Sequence, residues 1–206
     1  MAIRPRHQQK TENRHVSLEG QLLIAMPHMP DKRFARSVIY MCAHSEESAM
    51  GLILNQRAED ITFTDLLENL KLIEGIDPEE LPEGVADIPV QVGGPVEAGR
   101  GFVLHSADYF NEEATVKVGN RVFLTATIDV LKAIAQGEGP RRSVLALGYA
   151  GWSAGQLESE LLANGWLHCP SDPEIIFDRD FDSKYDRALA LIGVEPGHLV
   201  TQSGRA

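Results

Sequence analysis

The apolar residues in the early part of the chain occur in short runs that predict three strands. Residues 21–26 and 36–42 are rich in aliphatic side chains, which occupy both odd and even positions. Side chains alternate between the two faces of a strand, so these runs are typical of strands buried on both faces. Residues 51–55 form a third run after a short polar stretch, a spacing that suits an antiparallel hairpin with the second strand.

Two helices are predicted in the middle of the chain from capping residues and from apolar side chains at helical spacing. The first begins at Thr62, whose hydroxyl can accept a hydrogen bond from the backbone N–H of Asp65. The second runs from about residue 128 and stops at Gly137, because glycine readily adopts a left-handed conformation. The inward face of the first helix is expected to carry Leu66, Leu67 and Leu70.

Two more helices are predicted nearer the C-terminus. Ser153 and Gln156 have the spacing of a capping box, in which the serine oxygen accepts from the backbone N–H of Gln156. The following helix is expected to bury Leu157, Leu161 and Leu162. Residues 184–192 form the last predicted helix.

Further strands are predicted between the helices, at residues 88–92, 101–105, 115–118, 121–124 and 143–148. Gly119 and Asn120 would supply the positive φ angles of a two-residue hairpin turn. Hairpins are frequent, and strands and helices do not alternate regularly. The order therefore predicts an α+β fold with an antiparallel-rich sheet rather than a doubly wound sheet.

The pattern predicts one domain, at residues 18–193, with tails at residues 1–17 and 194–206. The first tail is basic and polar and is expected to be mobile. Residues 74–89 contain six acids, three prolines and no base, as is typical of an exposed loop. The elements that flank this loop need one another's apolar faces, so it does not divide the chain.

Charge and composition narrow the classes of partner. The chain of 206 residues has a formal net charge of -11, which disfavours nucleic acid and anionic membrane surfaces as main partners. No apolar run approaches the roughly 20 residues needed to cross a bilayer, and no secretory signal is recognisable. Cys42 and Cys169 are expected to be free thiols in a reducing cytosol, which places the protein in the cytoplasm. No cofactor is predicted.

Three motifs could carry chemistry, and each also has a structural interpretation. The glycine-rich residues 92–101 match neither the dinucleotide nor the Walker spacing, which favours a plain turn. Residues 151–155 have the Gly-x-Ser-x-Gly form around Ser153, although this serine is also the predicted helix cap. The acids between Asp172 and Asp182, around Asp178, could hold a divalent cation but lack the calcium-loop pattern.

Breaks that directly follow apolar strands predict a ligand pocket, since barrels and open sheets commonly bind ligands at strand ends. The candidate binding residues at these breaks are Asn55, Gly93, Gly94, His105, Tyr149 and Trp152. No catalytic or metal-ligating residue is assigned.

Taken together, the motifs resemble those of the YqgE/AlgH family of bacterial cytosolic proteins. The resemblance rests on residues 20–27, 34–40, 51–55, 92–95, 104–105 and 147–158, and continues through residues 160–161 and 164–166. It implies a single α+β domain with a β-barrel-like sheet surrounded by helices. The activity of the family is unassigned, and the description of AlgH as a transcriptional regulator implies a regulatory role. The resemblance implies no reaction and carries over no catalytic residues.

Two main hypotheses of function follow. The first is a non-enzymatic, cytosolic binding or regulatory protein that takes an unknown small molecule or protein into the strand-end pocket. The alternative is a hydrolase that uses Ser153 or a metal held by the acids near Asp178. Direct DNA binding is a third hypothesis, which the absence of a basic helix face disfavours.

Overall fold

The computed structural model describes residues 16–73 and 80–195, which form nine strands and five α-helices. The strands are β1 (Gln21–Ala25), β2 (Val38–His44), β3 (Ser48–Ile53), β4 (Val90–Val92), β5 (Val96–His105), β6 (Thr115–Val118), β7 (Val122–Thr125), β8 (Ser143–Ser153) and β9 (Trp166–Pro170). The helices are α1 (Phe63–Asn69), α2 (Ile128–Ala135), α3 (Gln156–Leu162), α4 (Pro173–Ile176) and α5 (Lys184–Leu191), with a 3₁₀ turn at Lys32–Phe34. The predicted tails lie almost entirely outside the described residues, and so do residues 74–79 of the acidic loop.

One curled sheet contains all nine strands, in the order β6-β7-β5-β8-β3-β2-β1-β9, with β4 parallel to β8. The neighbours along this path pair antiparallel, so the α+β, antiparallel-rich fold predicted from the sequence is confirmed. The curl brings β6 back towards β2, where the hydroxyl of Tyr40 donates to the carbonyl oxygen of Val118 at 2.9 Å. No helix in the described ranges is long and apolar enough to cross a bilayer.

Strands β1 and β2 are buried on both faces, as their sequences predict. Leu22 and Tyr40 point into a core closed by α4 and α5, while Leu23 and Met41 point into a second core beneath α3. A third core lies where α1 and α2 cover β4, β5 and β8. Cys42 and Cys169 are free thiols buried in the first of these cores, and burial raises the pKa of Cys169 to about 11.

The chain crosses from one edge of β8 to the other between β4 and β5. Both strands pair with residues 145–147 of β8, but from opposite edges, so residues 93–95 have to pass over it. The crossing is so close that a Cβ on Gly93 would lie 2.2 Å from the carbonyl oxygen of Gly148. A Cβ on Gly94 would lie 2.1 Å from the carbonyl carbon of Tyr149. At the glycine-rich motif, the backbone of residues 93–94 is therefore in direct contact with the backbone of β8.

Some local predictions were wrong. Leu70 and Leu162 are exposed, at 39% and 86%, because α1 and α3 end at or before these positions and turn the side chains to solvent. The hairpin between β6 and β7 has three loop residues, since Val118 pairs with Val122, and Gly119 rather than Asn120 supplies the positive φ. Thr62 does cap α1 with a complete capping box.

Lys184, at the start of α5, is a fully buried cation and makes the stability depend on pH. Its Nζ donates to the carbonyl oxygen of Ile176 at 2.9 Å and lies 5.4 Å from the ring centroid of Phe181. Burial lowers its pKa to about 8. Between this value and the value of about 10.4 in an unfolded chain, the unfolded state binds more protons, so the free energy of unfolding rises with pH.

We expect this rise to be at most about 1.4 kcal/mol per pH unit and to disappear in Lys184→Met. The raised pKa values of Cys42, Cys169 and Tyr40 act in the opposite direction at high pH, but they do so in both proteins. Urea unfolding at pH 7.5, 8.5 and 9.5 would therefore show that the free energy of unfolding of the wild type rises relative to that of Lys184→Met as the pH increases. A constant difference between the two proteins would contradict the assignment to Lys184.

Candidate functional site

A cleft of about 530 Å³ opens beside the end of β8, between α3 and the start of β9. The segment that joins β1 to β2 forms one wall through Met29 and Phe34, and the start of β5 contributes Val96. Trp152 from β8 and Trp166 from β9 complete the lining, and we call this site the tryptophan cleft. Its volume is in the range of small-molecule sites, about 300–1,000 Å³.

The two tryptophans form the floor of the cleft because of where they stand on their strands. Alternation along β8 places Trp152 on the same face as Ala150, beneath α3, and pairing of β9 with β1 places Trp166 opposite Ala25. The indole centroids lie 5.9 Å apart at an interplanar angle of 78°. Phe34 stands edge-to-face against Trp166 at 5.7 Å. Each indole is at least 95% buried, so the floor is fixed by packing.

Glu160 on α3 ties the two indoles together. Its Oε2 accepts from Nε1 of Trp152 at 2.9 Å and from Nε1 of Trp166 at 2.7 Å. Its Oε1 accepts from Nε2 of Gln156, one helical turn earlier, at 2.9 Å. A buried indole N–H normally needs an acceptor, and one carboxylate here supplies both. The arrangement holds a half-buried carboxylate at the cleft in a fixed position.

At the rim of the cleft, Arg33 and Asp31 form an ion pair with each other. Nε of Arg33 donates to Oδ1 of Asp31 at 3.0 Å, and Nη2 donates to Oδ2 at 2.6 Å. These hydrogen bonds lower the pKa of Asp31, the side-chain contact with Arg33 being the larger cause. The pair is largely exposed and cancels its own charge.

The passage of residues 93–95 over β8 brings two of the predicted positions together beside this cleft. The second, at Tyr149 and Trp152, was wrongly predicted to be a break after a strand, because β8 continues through both residues to Ser153. Trp152 lines the cleft, and Pro95 and Gly151 flank it from the two crossing segments. Gly93 and Gly94 are buried in the crossing itself. Tyr149 is half-buried, and its ring packs edge-to-face on Phe102 at 5.8 Å.

The other two predicted positions have structural partners elsewhere in the fold. Asn55 accepts from the backbone N–H of Val38 and donates to the carbonyl oxygen of Arg36, both at 2.8 Å, which holds the turn before β2. His105 is buried, with Nδ1 donating to the carbonyl oxygen of Ser106 at 2.9 Å. Its Nε2 lies 2.9 Å from the hydroxyl of Thr125, and burial lowers its pKa.

The side chains proposed for a hydrolase are occupied in other ways. Ser153 is the last residue of β8, and its hydroxyl donates to Oε1 of Gln156 at 3.1 Å. The predicted cap was wrong. The side chain of Gln156 accepts from the backbone N–H of Ser153, the reverse of the predicted hydrogen bond, and Gly155 takes the N-cap position of α3. Asp178 is paired with Arg187. Within residues 16–73 and 80–195, no group of three His, Cys, Asp or Glu side chains is placed to hold a metal ion.

Sequence reasoning missed Glu160 as a site residue. The signal was present, since Gln156 and Glu160 are four residues apart and so share one face of a helix that Trp152 and Trp166 bracket. Nothing in the sequence indicates that both indoles turn towards that face. Phe34 was also missed, because it contacts Trp166 from the 3₁₀ turn that joins β1 to β2.

Comparison with known proteins gives the family. A model of the AlgH-like family matches residues 22–197, most of the chain. The chain belongs to the AlgH-like family. It is similar to the UPF0301 protein of Nitrobacter hamburgensis, with 59% identity over 189 residues, 92% of this chain and 88% of the relative. The UPF0301 protein of Methylobacterium nodulans is 58% identical over 92% of this chain and 90% of its own length.

Two solved structures have the same fold. The solution structure of the AlgH protein from Pseudomonas aeruginosa matches with a TM-score of 0.71 and 42% identity, covering 91% of this chain and 95% of that one. A crystal structure of a protein from Corynebacterium diphtheriae has a TM-score of 0.64 at 21% identity, with 82% and 84% of the two chains covered. At that identity the second match concerns the fold alone.

Proposed function

We propose that this AlgH-like protein is a non-enzymatic, cytosolic binding protein whose ligand is a small molecule held in the tryptophan cleft. The observation that carries the proposal is that Glu160 accepts a hydrogen bond from each of the two tryptophans of the chain, at the floor of a cleft of about 530 Å³. A regulatory output would then follow from occupancy of the cleft.

The character of the lining supports a binding role. Ligand sites are mostly apolar, with a few polar groups in fixed positions. Met29, Phe34 and Val96 supply apolar walls, and Glu160 is a polar group whose geometry is set by three hydrogen bonds. A site of this kind is already organised before a ligand enters, which lowers the entropic cost of binding.

Intrinsic fluorescence tests the proposal directly, because Trp152 and Trp166 are the two tryptophans of the chain. We expect titration with the neutral probe 2-phenylethanol to change the emission saturably, with a dissociation constant of about 1 mM, as suits a fragment of this size. The cleft can be blocked by Ala163→Tyr, since Ala163 lines it.

The matched control for the blocking variant is Leu162→Tyr, which places the same side chain one position earlier, where the residue is 86% exposed. We expect binding in Leu162→Tyr to equal that of the wild type and binding in Ala163→Tyr to be at least tenfold weaker. A wild type that gives no saturable change, or two variants that bind equally well, would overturn the proposal.

A further inference from the structure

We infer that the tryptophan cleft selects a small organic cation, an ammonium group carried on an apolar body, whose charge is met by Glu160. The inference rests on the proposed function and adds the chemical class of the ligand. It follows from the charges that line the cleft, from the acceptor capacity of Glu160 and from the apolar walls.

The charges of the lining leave one carboxylate uncompensated. Of the described residues that line the cleft, Arg33 is the only arginine or lysine, and Asp31 already holds it. The three groups that donate to Glu160 are two indoles and an amide, all neutral. Hydrogen bonds from neutral donors orient a carboxylate but leave its negative charge in place, so a cation gains more there than a neutral group.

Glu160 also keeps capacity to accept another hydrogen bond. An ionised carboxylate offers about four acceptor positions. The three donors within the described chain fill two positions on Oε2 and one on Oε1. A ligand ammonium can donate to the remaining position on Oε1 without displacing an indole. The floor of the site would then stay intact when the ligand binds.

The walls suit the rest of such a ligand. Phe34 and Met29 are half-buried, and Val96 is 36% exposed, so apolar surface faces the cleft above the carboxylate. The guanidinium of Arg33 already lies 5.9 Å from the ring centroid of Phe34, so the cation preference is assigned to Glu160 and Phe34 supplies apolar contact. The net charge of -11 favours the approach of cations over anions.

Three probes with a common phenylethyl body separate charge from shape. They are 2-phenylethylammonium, 2-phenylethanol and 3-phenylpropanoate, each titrated at 150 mM salt with tryptophan fluorescence as the readout. We expect the cation to bind at least tenfold more tightly than the alcohol, and the anion to bind more weakly than both. If the alcohol binds and the cation has no advantage, the inference on ligand class is wrong while the cleft remains a binding site. If none of the three binds, the proposed function itself fails.

Glu160→Gln tests whether the preference belongs to this side chain. The variant keeps an acceptor for the indoles and removes the charge, so we expect the ratio of cation affinity to alcohol affinity to fall to less than threefold. Glu158→Gln on the same helix is the control, since it changes the net charge equally and its carboxylate faces His44 at 2.9 Å. Equal losses in both variants would assign the preference to overall charge and overturn the inference.

A fourth probe separates a small molecule from a partner protein. Nα-acetyl-lysine N-methylamide carries the same ammonium on a protein side chain. We expect it to bind more weakly than 2-phenylethylammonium, because its alkyl chain contacts the aromatic wall less than a phenyl ring does. If it binds more tightly, the occupant is a lysine of a partner protein, and the assignment to a small molecule is wrong. Thermal unfolding of each variant confirms that it is folded.

Discussion

Gly94→Ala is expected to lose at least about 3 kcal/mol of stability and to accumulate as unfolded or aggregated chain, because a methyl group has no room there. Its Cβ would lie within 2.3 Å of three backbone atoms of Tyr149 and Ala150. Backbone atoms inside a sheet cannot move aside as the end of a flexible side chain can. The φ angle of 155° is also one that residues other than glycine rarely adopt.

The matched control for this substitution is Gly99→Ala in β5, the strand that follows the crossing. Gly99 is exposed, and a Cβ there would meet no heavy atom of the described chain within 4 Å. We expect this variant to stay within about 1 kcal/mol of the wild type. Soluble yield and urea unfolding of the two variants give the comparison. A Gly94→Ala protein as stable as Gly99→Ala would mean that the two backbones do not cross in contact.

Leu22→Ala and Leu23→Ala are expected to destabilise the protein by similar amounts, about 2–5 kcal/mol each. In a strand with one solvent face, one of two adjacent substitutions is nearly neutral. Here both side chains are fully buried, in cores on opposite faces of the sheet. Each substitution therefore leaves a cavity.

Strand β6 provides the contrast for this pair of substitutions. Val116 is 61% exposed, so Val116→Ala is expected to change the stability by no more than about 0.5 kcal/mol. Val118, two residues later, is 1% exposed, so Val118→Ala is expected to lower the free energy of unfolding clearly more than Val116→Ala does. Midpoints of urea unfolding for the four variants test the assignment, and a neutral Leu22→Ala or Leu23→Ala would contradict burial on both faces.

The sequence predicts those parts of the fold that depend on local patterns. Apolar side chains at odd and even positions predict that β1 and β2 are buried on both faces, and Thr62 predicts the start of α1, because each signal lies within a few residues. The crossing at Gly93 and Gly94 is different. Its cause is contact with Gly148 and Tyr149, more than fifty residues away, so the glycines alone indicate only a turn.

The site is predicted less completely for the same reason. Trp152 was found because it follows the apolar residues 143–148, and it lines the cleft, although β8 continues through it. Glu160 matters only because two indoles, from β8 and β9, meet beneath α3 and donate to its carboxylate. Asn55 follows β3 and His105 ends β5, but the curl of the sheet carries them to places where they form hydrogen bonds with backbone atoms and with Thr125. Position after a strand does not determine which strand ends meet.

The position of β8 also bears on how the protein is made. It pairs with β3, β4 and β5, all of which precede it in the chain. A nascent chain on the ribosome that has not yet reached residue 143 holds three strands that lack their shared partner, and the crossing has nothing to pass over. Sheet formation that depends on distant pairing is slow and leaves strand edges open to other chains. The time between synthesis of β5 and release of β8 is therefore the period in which this protein is most exposed to aggregation.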